Sequence, residues 1–380
     1  MKRISFAPRS DWQQTAAEAG FTFHSENGPY WDESAAYGFT LAQVEQIEEA
    51  TEALEAMCYQ VVERAVSDTV VMDRLAIPGD FHDLIRQSWL NRERNLYGRF
   101  DFSYDGKAPP KMLEYNADTP TSLYEAAVFQ WVWLEQMIER GELPKGSDQF
   151  NSIHERLVAA WREMGVIGDL LHLAGMLDAE EDRVTVVYLA DCAQQAGLRT
   201  EVLNIAEIGL TAAGDFVDLQ NRHITTLFKL YPWEFMVREQ YGTSLLRRTT
   251  RIIEPAWKMI LSNKGLLALL WEMFPGHQNL LPAFFDQTEH NLTAPFVRKP
   301  LLSREGANIQ IVGMGDAEDG PYGAEGHVVQ QFAPLPSFDG SYPVIGSWVI
   351  AGQPAGMGIR EDTSLVTRNT SRFTPHFISE

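Results

Sequence analysis

The chain has 380 residues, 45% of them hydrophobic and 11% aromatic, enough for one large domain or two to three ordinary ones around a substantial core. A formal net charge of −21 excludes the basic footprint of a nucleic-acid binder and repels anionic lipid, while attracting cations such as polyamines or Mg²⁺. The N-terminal MKRISFAPRSDWQQ carries no apolar signal core and no run approaches a membrane span, so a cytoplasmic location is expected.

Residues 1–40 are aromatic-rich and read as irregular. Leu41, Val44, Ile47, Leu54, Met57, Val61 and Ala65 then recur close to the helical period and predict a helix over 41–67, followed by a shorter one over 80–91. Cys58 and Cys192, each beside apolar residues in a helix-like stretch, read as buried free thiols. The stretch from Arg99 to Ser122, RFDFSYDGKAPPKMLEYNADTPTS, places Asp105-Gly106, a hairpin turn signal, between two alternating segments. Side chains alternate faces along a strand, so Arg99 and Asp101 share one face, and Glu114 and Asn116 share one face of the return strand. A register that brings those faces together makes two carboxylates, an amide oxygen and a guanidinium converge. Two readings stand. One is a solvated face, the commoner fate of hairpin charges. The other is a set of hard oxygen donors for Mg²⁺, with an arginine placed to stabilise a transferring phosphoryl group. Ser122-Leu-Tyr-Glu125 fits a capping box, which makes Ser122 a helix cap rather than a ligand.

The helix so capped runs over 123–140, with Phe129, Trp131, Trp133 and Leu134 as core residues. Ser152-Ile-His-Glu155 offers a second capping box opening a helix to Met164, with His154 solvated in its first turn. A strand over 169–175, a helix over 179–197 closed by Gly197 and a strand over 199–205 form a β-α-β unit and predict a small parallel sheet. No GxGxxG follows its first strand, which argues against a dinucleotide site. Helices near 233–247 and 257–274 come next, the second containing Lys264, whose default there is exposure. From Phe296 onward strands and glycine turns predict a mainly antiparallel sheet. Within it Lys299 either snorkels to solvent or points into a ligand site. The loop Ser303–Asn308, with Gly306, can turn backbone N–H groups toward a phosphate, although most such loops only turn the chain. Arg360 ends a strand whose Gly356 and Gly358 permit close approach. Walker A, GxSxG and HExxH motifs are absent from the sequence.

The segments RFDF, LEYNADTPTSLYEAA, FKLYPWEFM, EPAWKMILSNKGLLALLWEMFPG, VRKPLLSREGAN and IGSWVIAGQPAGMGIREDTSLVTRNTSRF, in this order, resemble the glutathionylspermidine synthase family, and most closely its stand-alone bacterial acid–amine ligases. The resemblance covers nearly the whole chain. It implies an α+β / α/β, ATP-grasp-like fold with circularly permuted parts and an additional small parallel-sheet domain of pre-ATP-grasp type. Residues 1–122 would carry the N-terminal helical region and the metal-binding hairpin, 123–250 the small α/β domain, and 251–380 the nucleotide-binding part.

The implied reaction is ATP- and Mg²⁺-dependent amide formation between a carboxylate and an amine through an acyl phosphate. In the synthetases proper the acid is glutathione and the amine spermidine. By similarity, Asp101, Glu114 and Asn116 would ligate Mg²⁺, and Arg99 would touch the γ-phosphate and the acyl phosphate. Lys264 and Lys299 would bind phosphates under a loop carrying Gly306. Gln330 or Gln331 would lie in the adenine-binding segment, and Leu365 would line the nucleotide pocket. Arg360 would be a second transition-state arginine, and Thr119 would contact the acid substrate. The amidase domain of bifunctional members has no counterpart in this sequence, and neither cysteine sits in a matching motif, so ligation without hydrolysis is expected. The alternative is a non-catalytic nucleotide-binding protein with a regulatory or assembly role on the same fold; a kinase-like transfer to another acceptor would use the same groups.

Overall fold

The computed structural model describes residues 1–25 and 28–379. Its backbone is a mixed α/β structure with both parallel and antiparallel sheets. The strands Tyr97–Ser103 and Lys111–Asn116 form the expected antiparallel hairpin, with Arg99 opposite Asn116 and Asp101 opposite Glu114. The connection is longer than a two-residue turn. Asp105 Oδ1 accepts the N–H groups of Lys107 and Ala108, and Gly106 takes φ +81°, where a side chain would be strained.

This hairpin does not stand alone. Tyr97–Ser103 pairs with Tyr342–Ile350, which pairs with Gln353–Asp362 and then Arg372–Phe373, giving one antiparallel five-stranded sheet built from both ends of the chain. The long helix Leu41–Ser67 lies against it, burying Val44, Ile47, Leu54 and Val61 on one face. Its start is fixed by a reciprocal capping box between Thr40 and Gln43. Phe100, Phe102, Met112 and Tyr115 fill the layer beneath, with the Phe100 and Tyr115 rings stacked at 3.8 Å. Apolar burial on this scale is the main stabilising term of the fold.

The β-α-β unit is as the spacing predicts. Leu171–Gly175 and Thr200–Asn204 pair in parallel around the helix Glu180–Gln195, and Thr226–Leu230 and Arg251–Ile253 extend the sheet to four parallel strands. A further five-stranded antiparallel sheet carries Phe296–Pro300 at its centre, flanked by Gln310–Val312 and His327–Gln331.

Several expectations are corrected. Residues 1–40 are irregular only in part: Lys2–Ser5 and Ala35–Phe39 pair as strands, and Trp12–Glu18 is helical. The stretch 233–247 is two short helices, Trp233–Met236 and Gly242–Leu245. The stretch 257–274 also divides, into Lys258–Leu261 and Gly265–Met273, with Lys264 in the joint. The helix Ile153–Met164 forms, yet Ser152 does not cap it; its hydroxyl donates to the Ala355 carbonyl instead. His154 is half-buried, with its ring between Tyr188 Oη at 3.1 Å and Gln195 Oε1 at 3.2 Å.

Candidate active site

The register sets the first cluster. Arg99, Asp101, Glu114 and Asn116 lie on one face of the hairpin, as alternation requires. Arg99 grips Asp101 through two bonds, Nε to Oδ1 at 2.7 Å and a terminal nitrogen to Oδ2 at 3.0 Å. Asn116 Nδ2 donates to Asp101 Oδ2 at 3.1 Å and to Glu114 Oε1 at 3.3 Å. Room for Arg99 comes from the neighbouring strand, where Gly346 sits opposite Asp101 and any Cβ would meet Arg99 Cδ at 2.7 Å.

Two lysines complete this end. Lys264, expected on an exposed helical face, is buried, because the break before Gly265 turns it inward. Its Nζ lies 3.1 Å from Glu114 Oε2 and 2.7 Å from the Ser303 carbonyl. Lys299 does not snorkel. Its Nζ donates to the Leu113 carbonyl at 2.8 Å and to Gln330 Oε1 at 2.9 Å. Burial pushes the Lys299 ammonium down to about 8, against the pull of Glu114. Burial alone would raise the Glu114 carboxyl, but Lys264 and Lys299 outweigh it and hold it down to about 2. Asp101 is raised by burial, which Arg99 only partly offsets.

Asp101, Glu114 and Lys299 open into a cavity of about 100 Å³ that Gly306, Gln330, Gln331, Leu365 and Thr367 also line. Gln330 is buried and fixed by Lys299 and the Met112 carbonyl, whereas Gln331 is exposed. Gly306 takes φ +76°, and a Cβ there would meet the Thr367 carbonyl at 2.5 Å, so the loop's approach to residues 365–367 requires glycine. From the same loop Arg304 donates to Thr119 Oγ1 and, at 2.7 Å, to Glu234 Oε1.

A second cluster surrounds Arg360. Its Nε donates to the Ser371 carbonyl at 2.9 Å, its terminal nitrogens to the Arg368 and Asn369 carbonyls and to Ser122 Oγ at 3.2 Å, and its guanidinium lies 5.2 Å from the Tyr30 ring centre. Ser122 is therefore not a helix cap. It sits at φ +68°, its hydroxyl bridges Tyr30 Oη and Arg360, and the following turn is a π-helix over Glu125–Phe129 with no side-chain cap. Tyr30 also donates to Glu125, whose carboxyl burial and the nearby Glu181 push up to about 7. Burial likewise raises Glu181, and burial with Glu181 raises Asp182 to about 6. A cavity of about 290 Å³ lined by Tyr30, Glu181, Asp362 and Arg368 opens here. Of these three carboxyls Glu181 lines the cavity, together with Glu361, Asp362 and the side chains of Arg368 and Arg372.

The structure thus brings Arg99, Asp101, Glu114, Asn116, Lys264, Lys299 and Gln330 together, with Gly306, Gln331 and Leu365 on the cavity wall. Thr119 lies off this cluster, bound to Arg304. Sequence reasoning missed Tyr30, Glu125, Glu181 and Arg304. Glu180-Glu181-Asp182 was legible as an acidic helix start, but nothing local ties it to Arg360. The two thiols are buried and free; burial pushes Cys58 well up and Cys192 to about 12, so neither is poised as a nucleophile. No helix of the described residues is long and apolar enough to cross a membrane.

The family model described as glutathionylspermidine synthase preATP-grasp matches residues 3–379. The chain is similar to a Haemophilus influenzae protein named "Putative acid–amine ligase", 43% identical over 99% of each chain. It is 27% identical to the bifunctional glutathionylspermidine synthetase/amidase of Escherichia coli, covering 89% of this chain but 58% of that one. Its fold resembles that of a glutathione synthetase-like effector from Globodera pallida, with a TM-score of 0.54 at 11% identity over 99% of both chains.

Proposed function

We propose, because this chain belongs to the glutathionylspermidine synthase family, that it is an ATP- and Mg²⁺-dependent ligase joining a carboxylate to an amine through an acyl phosphate. The observation that carries this reading is that Asp101, Glu114 and Lys299 line one cavity while Arg99, Asn116 and Lys264 bond its two carboxylates. The permuted ATP-grasp arrangement is part of the same proposal. It accounts for a metal-type cluster at the front of the chain meeting lysines and a glycine loop from its back.

The donor set fits Mg²⁺. Once the Asn116 amide, whose nitrogen donates to both carboxylates here, turns to present its oxygen, the set is all hard oxygen, and an ion that keeps several waters and phosphate oxygens needs only one or two carboxylates. Asp101, Glu114 and the Asn116 amide oxygen would hold it, and when bound it supplies charge neutralisation between phosphates. Arg99 and Lys264 now occupy the two carboxylates. A triphosphate would draw those cations onto its own oxygens and free the carboxylates for the metal. Lys299 and Lys264 orient the phosphates, and the Gly306 loop covers them. Phosphoryl transfer needs positioning and positive charge more than covalent help, which Arg99 and Arg360 would provide.

In the first step a substrate carboxylate oxygen takes the γ-phosphoryl group and ADP leaves. In the second the amine nitrogen attacks the acyl carbon, phosphate departs, and the nitrogen loses a proton. Thr119 and Arg304 would hold the acid. Glu181 and Asp362, on the wall of the cavity beside Arg360, would hold a cationic amine, and a polyamine with a glutathione-like peptide would be the substrate pair.

The test is ADP release with Mg²⁺-ATP across peptides crossed with polyamines, with mass spectrometry of the products. An adduct one water lighter than its two substrates is expected. Nucleotide binding with no release above basal hydrolysis on any pair would favour the non-catalytic reading.

A further inference from the structure

Away from this site the acidic chain carries an arginine-rich cavity that the proposed ligase chemistry leaves unused. It lies beside Arg251–Ile253, the edge strand of the parallel sheet, and has a volume of about 430 Å³. Arg92 and Arg94 line it from the segment after helix His82–Leu90, Arg248 from the segment leading into the edge strand and Arg251 from the first position of that strand. Trp233, Leu245 and Ile252 make its apolar floor.

We propose that this cavity binds a small multivalent oxyanion, phosphate or carboxylate in kind, carried on a partly apolar body. Four of its lining residues are arginine and one, Glu93, is acidic. Glu93 is already engaged as the acceptor of the Ser88 hydroxyl. Among the described residues the Arg251 guanidinium bonds the Met164 and Gly165 carbonyls, at 3.2 and 3.5 Å, through one terminal nitrogen. Burial lowers its affinity for the proton and the charge of Arg94 adds to this, with Glu93 opposing. An anion entering the cavity would relieve that cost.

The outer arginines have carboxylate partners on the rim, Arg94 with Glu163 at 3.1 Å and Arg248 with Asp83 at 2.6 Å. Those side chains are 40–70% exposed, so the pairs are weak and can be exchanged for a ligand. Arg92 and Arg248 both stand at positive φ, +54° and +56°, a backbone cost that tends to collect at ligand sites. Guanidinium groups suit phosphate and carboxylate because they bind them in forks. A volume of this size with an apolar floor is in the range of small-molecule sites.

Pyrophosphate and citrate, titrated calorimetrically into the full chain, test this. Wild type and the Lys299→Met variant, whose change lies in the candidate active site, should both bind at least one of the two anions. Arg251→Gln should weaken that binding about tenfold or more. Arg94→Gln, an exposed change that should not disturb folding, should weaken it severalfold. Preference for pyrophosphate or citrate then assigns the ligand to phosphates or carboxylates. Unchanged binding in the Arg94→Gln/Arg251→Gln double variant, loss of all binding in Lys299→Met, or no binding by wild type at millimolar anion would each overturn the proposal.

Discussion

The parallel sheet and the antiparallel hairpin sheet both bury lysine against carboxylate, but with different consequences. Lys229 on the parallel sheet bonds Asp118 with both side chains closed to solvent, and the second Asp118 oxygen accepts the Trp233 N–H at 2.9 Å. Lys258 is equally enclosed by the Tyr97 and Ala117 carbonyls, with Glu254 at 3.5 Å. At the hairpin, Lys264 meets Glu114 with the carboxylate 23% exposed, on the wall of a cavity. A closed pair has no alternative partner and serves the fold. An open pair can exchange its carboxylate for a phosphate and serve chemistry.

Breaking a closed pair should produce the largest effect on stability. Asp118→Ala leaves the Lys229 ammonium buried and unpaired and should cost about 3–5 kcal/mol in denaturant unfolding. A loss below about 1 kcal/mol would place Lys229 among the exchangeable cations. Glu114→Gln should do the reverse, lowering Mg²⁺-dependent ADP release about 10³-fold with little change in melting temperature. Wild-type-like turnover in that variant would remove Glu114 from the metal set. Arg360→Ala should lower turnover about 10²-fold while ATP affinity changes only a few-fold, because its charge is needed chiefly in the transition state. An equal fall in both would make it a ground-state binding group.

The smallest effect concerns pH. Burial holds the Lys299 ammonium at about 8, so it is charged below that pH and neutral above it. Nucleotide affinity should therefore be full below pH 8 and decline as pH rises through it, by no more than about tenfold per unit. Lys299→Arg, which stays charged, should flatten the profile in a binding titration; an unchanged profile would assign the titration to another group.

Local periodicity made the hairpin legible. Alternation in RFDF and LEYN puts Arg99 with Asp101 and Glu114 with Asn116, but the register that joins the two pairs, Arg99–Asn116 and Asp101–Glu114, depends on a connection longer than the Asp105-Gly106 turn signal. The long helix and the β-α-β unit were visible for the same reason, since each is a property of adjacent residues. What escaped depends on partners far along the chain. Ser122 meets every local criterion for a cap, but Tyr30 and Arg360 claim its hydroxyl from 92 and 238 positions away. Lys264 reads as an exposed helical residue until the break before Gly265 turns it toward Glu114. The conditions that made Tyr30 and Glu181 part of a cleft are set by tertiary packing, which a single sequence pattern does not encode.

The pairing of strand Tyr97–Ser103 with Tyr342–Ile350 has a consequence for synthesis. The strand that carries Arg99 and Asp101 leaves the ribosome long before its central neighbour exists, and until then one hydrogen-bonding edge is unpaired. Strand His376–Ile378 likewise pairs with Ala35–Phe39, and Arg3 with Glu361, 358 positions apart. The nascent chain must therefore carry an open edge for most of its translation, exposed to mispairing, and the hairpin sheet can close only when the last strands emerge.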